Sequence, residues 1–319
     1  MGKMAIDRSQ STLVDAILQD EIARGNRALR SLAPVIAHLL DSDGPSLVSD
    51  AIVARLRGML RHIADQLLAS LPLDAKNALI QSQAQSKLID HLRGDESLVD
   101  HLYSVVLEGV LTKQVQQRVG VDPILSPLMQ ELIASERPEI AEVAMMALAA
   151  QSRFCQGQER MELPLGELPS QLLWRVLTHF EATELALHPE GVAGAVQTIK
   201  RDFDEAQSRI GLFARLASSM QGGAIAALDI GHAGLALFAS ATASLTRQER
   251  EHVVFACHEG QTFRLVLILI AAGLNINAIE GQLALLGGTR ALPSGFETIS
   301  QAHSQELLRT LTGPEGELS

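Results

Sequence analysis

The sequence predicts an all-α protein of stacked helical hairpins, HEAT-like or a related α-solenoid or bundle. Three observations carry that expectation. Ala and Leu dominate a chain of 319 residues that is 47% apolar and only 3% aromatic, with a single Trp174 and a single Tyr103. Small and γ-branched side chains suit helix-on-helix packing, whereas large antiparallel sheets draw on β-branched and aromatic residues. Helix start signals recur along the chain, and no period-two alternation lasts beyond a few positions.

In chain order, the pattern places helices at 10–24, 26–40, 45–70, 74–92, 96–118 and 123–134. The last opens on Asp122-Pro123, read as an N-cap before a proline at the first helical position, where the missing N–H costs nothing. Pro138, Pro169 and Pro189 stand likewise ahead of helices at 138–156, 169–181 and 190–219. Helices at 223–243, 247–257, 261–273, 277–287 and 296–311 follow. Thr246-x-x-Glu249, Asn277-x-x-Glu280 and Ser294-x-x-Glu297 have the spacing of capping boxes. The stretch QGQERMELPLGELP (156–169), polar and then proline-bounded, is the clearest break.

Two regions are expected: an N-terminal helical region, 1–119, and a helical-repeat region, 120–319, with an internal repeat at 232–257 and 258–287. In the first half of the repeat, His232-Ala-Gly234 opens an apolar helix, and a second helix ends at Cys257. In the second half, His258-Glu259-Gly260 opens TFRLVLILIAAGL, and a further helix ends near Gly287. A single pair cannot bury its own apolar face, so neighbouring pairs stack. The run from Ser135 to Ala150 looks like one unit of a HEAT-type repeat.

The phrases RMELPLGELPSQLLWRVL (160–177), AALDIGHAGLALF (226–238) and ACHEGQTFRLVLILIAAGL (256–274) carry a resemblance. They are similar to an alphaproteobacterial, largely sphingomonad branch of a helical family catalogued as domain of unknown function 2336. The likeness covers roughly residues 120–290. It implies a bacterial, cytoplasmic helical-repeat protein and brings no activity, cofactor or functional residue with it.

A net charge of −11 disfavours non-specific binding to nucleic acid or to an anionic membrane, and no run of Lys and Arg with interleaved aromatics occurs. Cys155 and Cys257, the only two cysteines, are too few and too far apart for a disulfide framework or a zinc motif, and read as reduced thiols of a cytoplasmic protein. The opening MGKMAIDRSQ lacks the apolar core of a secretory signal. The span from Ala224 to Leu245 has about the length of a membrane helix, but contains Asp229 and His232 and is built from Ala, Gly and Ser.

The richest chemistry lies in FACHEGQ (255–261), where Cys257, His258 and Glu259 are consecutive. An activated thiolate needs Cys257 and His258 to converge, yet neighbouring helical residues do not face each other. A helix corner accounts for the stretch better: Glu259 at the positive end of the next helix and Gly260 in the turn. A wider cluster joins the repeat halves. Asp229, His232, His258 and Glu259, with Arg264 as counter-ion, have the ligand types of a metal or acid–base site if the two junctions stack together. The competing reading is a hydrogen-bonded polar seam in an apolar core.

His62 lies in a helix without a kinase signature. Asp90-His91 and Asp100-His101 read as solvated faces of adjoining helices, and Lys200–Asp204 as a surface i,i+4 pair. No phosphate loop, serine elbow or zinc-protease motif occurs. No catalytic residue, metal ligand or cofactor is therefore assigned. The expected function is non-enzymatic binding of another protein, as regulator or scaffold, with neither nucleic acid nor membrane as partner. The alternative is a metal- or small-ligand-binding protein using the polar cluster at Asp229, His232, His258, Glu259 and Arg264.

Overall fold

The computed structural model describes residues 19–20, 23–27, 34, 50–71, 78–183, 189–258, 261–287, 292 and 296–312, and every regular element in them is helical. The helices are α1 (Asp50–Ala69), α2 (Ala78–Arg93), α3 (Glu96–Val119), α4 (Pro127–Ile133), α5 (Pro138–Arg160), α6 (Ser170–Ala182), α7 (Pro189–Asp202), α8 (Arg209–Ser219), α9 (Ile230–Thr246), α10 (Arg250–Ala256), α11 (Thr262–Ala271), α12 (Ile276–Leu286) and α13 (Gln301–Thr312). Single 3-10 segments occupy Leu165–Glu167, Glu205–Gln207, Gln221–Leu228 and Phe296–Thr298. The all-α expectation holds. The expected helices at 10–24 and 26–40 lie largely outside the described residues.

Caps form with the predicted chemistry but at shifted residues. Asp122 accepts from the N–H groups of Ile124 and Leu125, both at 2.8 Å, and so makes a turn. The helix opens later, with Ser126 accepting from Met129 N–H and Pro127 as the first helical residue. Thr246 closes α9, its hydroxyl donating to the Thr242 carbonyl at 2.7 Å, and Glu249 is itself the N-cap of α10. They form no capping box. For α12 the cap is Asn275, not Asn277; its side chain accepts from Ala278 N–H at 3.0 Å. Ser294 lies outside the described residues, and α13 is capped by Ser300, which accepts from His303 N–H at 3.2 Å. Ser, Thr, Asn and Asp cap almost equally well, so the one with extended backbone at the right place takes the role.

Two expected helices are broken. The one expected at 190–219 stops at Asp202, because Asp204 turns back to accept from Ala206 N–H at 3.0 Å. The expected Lys200–Asp204 pair is therefore not made. Only glycine fits at 211: a Cβ there would lie 2.2 Å from the Glu205 carbonyl oxygen, so α8 starts directly against the turn before it. The one expected at 223–243 is a 3-10 segment up to Leu228, after which Asp229 caps a new helix by accepting from Gly231 N–H at 2.9 Å. The two pieces are bent by 112°, and among the described residues no single helix is long and apolar enough to cross a membrane. Inside α9, Gly234 at φ 71° kinks the helix, and a Cβ there would meet the Ser126 Cβ at 3.3 Å.

Contacts group the chain into two units, each assembled from separated stretches. One comprises Met1–Ser31, Val110–Ala144 and Phe213–Ser319; the other Leu32–Gly109 and Met145–Leu212. No boundary between them falls at 119–120.

In the second unit, α1 packs on α2, α2 on α6, and α6 on α7. Leu56, Met59, Leu60, Ile63 and Leu67 of α1 recur at helical spacing and meet Leu88 and Leu92, Leu102 and Val106, and the Leu173, Val176, Leu177 and Phe180 stripe of α6. His62 is architectural. Its Nδ1 accepts from Leu163 N–H at 3.1 Å, while Gln66 donates to the Leu163 carbonyl and accepts from Leu165 N–H, both at 3.0 Å, pinning the loop after α5 to α1.

In the first unit, α9 packs against α4, α10, α11, α12 and the 221–228 segment, α10 against α11, and α11 against α12 and α13. The segments 232–257 and 258–287, expected to be repeat halves, contain most of α9 with α10 and α11 with α12. At the centre, α9 buries twelve of its seventeen residues, and α11 buries every residue from Arg264 to Ala271.

Candidate functional site

Of the sequence-predicted cluster, Asp229, His232, His258 and Arg264 lie among the described residues, each in its own setting. Asp229 serves as the cap of α9, and its Oδ1 also accepts from Gln282 Nε2 at 3.4 Å; Gln282 in turn accepts from Ile230 N–H at 2.8 Å. His232 Nε2 faces Glu131 of α4 at 3.4 Å, a solvent-exposed pair. His258 is exposed in the turn after α10. Arg264 lies buried in the first turn of α11 and bonds the side chain of Asn26. Glu259 lies outside the described residues. No hydrogen bond or ion pair joins Asp229, His232 and Arg264, and among the described residues no group of three or more His, Cys, Asp or Glu is placed to hold a metal. Cys257 is buried at the C-cap of α10, and neither it nor Cys155 is in a disulfide. Around FACHEGQ, α10 ends at Ala256 and α11 begins at Thr262.

The second unit contains two ionic clusters that were not singled out from sequence. Asp95 caps α3, accepting from Leu98 N–H at 3.2 Å. Its carboxylate, wholly buried, takes two hydrogen bonds from Arg175 at 2.9 Å each and meets His179 Nε2 at 2.9 Å. Burial pushes the Asp95 pKa up, but the hydrogen bonds from Arg175, His179 and Leu98 N–H outweigh it and hold the group below its ordinary range. Glu108 of α3 pairs with Arg209 of α8 through two hydrogen bonds at 2.6 and 2.8 Å, with the side chains only 1% and 2% exposed. Gln151 accepts from the same guanidinium at 3.3 Å, and the Phe154 ring covers its face at 3.7 Å. These clusters clamp helices together. The signal for the second was a lone carboxylate inside the apolar run from Val105 to Leu111.

Of the two Asp-His pairs, Asp90-His91 is exposed as expected, but Asp100-His101 is not a solvated face. His101 is buried, and Asp100 Oδ1 is buried without a hydrogen-bond partner. Burial, with the nearby Glu96 charge, pushes Asp100 up to about 6. The folded pKa lies above the ordinary 3.8, so ionisation opposes folding: stability is fully present below about 3.8 and falls as pH rises through about 6. Asp100→Asn should therefore be more stable than wild type at neutral pH, by about 1–3 kcal/mol. The two should converge in acid. Thermal unfolding of both chains across that range checks this, and a gap that does not depend on pH would refute it.

The candidate site is the outer side of α6. Its buried stripe (Leu173, Val176, Leu177, Phe180) leaves Trp174 about 100° away from Leu173 on the helix wheel. The chain's one tryptophan is accordingly 40% exposed. It is held in place: Phe203 meets it edge-to-face at 5.7 Å, and the Lys200 ammonium lies 5.8 Å from its ring centroid. Arg175, next to it, is fixed by Asp95 yet half exposed. No carboxylate among the described residues pairs with Lys200. The arrangement offers a rigid indole, an unpaired ammonium and an anchored guanidinium to solvent.

No family model matches the chain, and no curated protein or solved structure is significantly similar to it.

Proposed function

We propose that the chain is a non-enzymatic helical protein that binds another protein, as regulator or scaffold, through the Trp174 face of α6. The observation that carries this reading is a tryptophan held off the apolar stripe and facing outward between Phe203 and Lys200. Trp and Arg dominate the energetics of protein interfaces, and pre-organised side chains lose little entropy on binding. A fitting partner presents an apolar or aromatic side chain to the indole and an acidic group to Lys200. The resemblance of residues 160–177, 226–238 and 256–274 to the family of unknown function 2336 supports a bacterial, cytoplasmic helical-repeat setting, and two cysteines outside any disulfide agree with a reducing compartment.

Trp174→Ala tests the reading. The variant should keep its helical spectrum and stay within about 1 kcal/mol of wild type in stability, because the side chain lies outside the core. It should lose about 2 kcal/mol or more of binding energy. In quantitative affinity capture from the native cytoplasm, proteins retained by wild type should be lost with the variant. Identical captured sets would sink the proposal.

A further inference from the structure

The ends of α2 and α6 bring two imidazoles together. His91 of α2 and His179 of α6 lie edge-to-face with ring centroids 6.4 Å apart, and the two helices pack on each other. His91 is exposed and His179 is 31% exposed, so both rings are reached from solvent. Each stands in the last turn of its helix, where the negative end of the helix dipole favours a cation.

The hydrogen bonds around each ring decide where its lone pair lies. His179 Nε2 is 2.9 Å from an oxygen of Asp95, whose buried carboxylate also takes two hydrogen bonds from Arg175. An ionised carboxylate can only accept, so Nε2 carries the proton and the neutral ring has its lone pair on Nδ1. Thr183, the C-cap of α6, spends its one O–H on the His179 carbonyl at 2.7 Å. Towards His91 Nδ1, at 3.5 Å, its oxygen therefore offers only a lone pair. That arrangement favours the proton on Nδ1 of His91 and the lone pair on Nε2. Histidine binds metals in this state: an outer partner takes one N–H, orients the ring and raises the basicity of the other nitrogen.

We propose that His91 Nε2 and His179 Nδ1 bind a zinc ion between the ends of α2 and α6. Imidazole suits zinc and its transition-metal neighbours, whereas magnesium and calcium take oxygen ligands. Zn–N bonds of about 2.0–2.1 Å place two imidazole centroids on one tetrahedral ion about 5 Å apart. The rings, at 6.4 Å, are wider than that by about 1 Å, which the exposed His91 closes by turning its side chain. Asp95 is the outer carboxylate rather than a ligand, since Arg175 and His179 already engage its oxygens. Water fills the remaining positions, so the site is open, and the ion ties α2 to α6. This goes beyond the protein-binding reading and does not use Trp174, so each fails independently of the other.

Equilibrium dialysis of the full chain against Zn²⁺ alone, at neutral pH and fixed ionic strength, tests the site. Saturable binding is expected, with one ion per chain held about tenfold or more weakly in His91→Gln and in His179→Gln. Zinc held elsewhere on the chain is common to wild type and variants, so the difference between them reads this site. Zinc should also raise the thermal unfolding midpoint of wild type by more than that of His91→Gln. An excess of Mg²⁺ should not displace the ion, and displacement would rule out imidazole ligation. Should His179→Gln fail to fold, because it strips a partner from buried Asp95, the exposed His91→Gln decides the matter. Zinc binding that does not saturate, or that is the same in wild type and every folded variant, overturns the proposal.

Discussion

Glu108→Ala is expected to destabilise the protein by about 3–5 kcal/mol. The pair it breaks is almost completely buried, and the Arg209 guanidinium is left with the neutral Gln151 oxygen at 3.3 Å and the Phe154 face once the carboxylate is gone. The cost comes chiefly from stranding a guanidinium in a low dielectric rather than from losing the attraction itself. Charge and packing are therefore separable. Glu108→Leu combined with Arg209→Met removes both charges at similar volume and should recover most of the loss. Urea unfolding of the single and double variants gives the coupling energy. A double variant as unstable as Glu108→Ala would show that shape, not charge, is what this cluster provides.

Leu267→Ala should cost about 2–5 kcal/mol, because the side chain is completely buried in α11, the helix that packs against α9, α10, α12 and α13, and its truncation leaves a cavity there. His258→Ala, in the exposed turn after α10, should cost at most about 1 kcal/mol. The contrast tests the corner reading of FACHEGQ directly. Chemical denaturation of the two variants, run side by side, is sufficient. A larger loss with His258→Ala would mean that the imidazole holds something in place, and the corner reading would fail.

The sequence announces its helices through composition and periodicity, and α3, α5, α6, α11 and α12 match their expected spans closely at most ends. The breaks at 203–208 and 229 were less legible. Each depends on a choice among several competent capping residues, and the first also on how closely Gly211 approaches the Glu205 carbonyl in space. The candidate cluster at 229–264 was inferred from equivalent positions in two repeat halves. Sequence spacing says that Asp229 and His258 occupy similar junctions, but not that the junctions meet. Asp229 turned inward to cap its own helix, a local bond that needs no partner from elsewhere. The Asp95 and Glu108 clusters join residues 80 or more positions apart, which no local pattern reports. Trp174 was legible in principle, as the large apolar residue that does not fit the stripe of α6.

The interleaving of the two contact units has a consequence for synthesis, which proceeds from the N-terminus and allows domains to fold as they emerge. The last residue that the unit of Leu32–Gly109 and Met145–Leu212 needs is 212, so its core can close while the final third of the chain is still being made. The other unit draws on Phe213–Ser319 and must wait for it. Until then α4, with the apolar side chains of Leu128, Met129 and Leu132, has no α9 to cover it. The period between the emergence of α4 and that of α9 is the one in which the nascent chain most needs protection from aggregation.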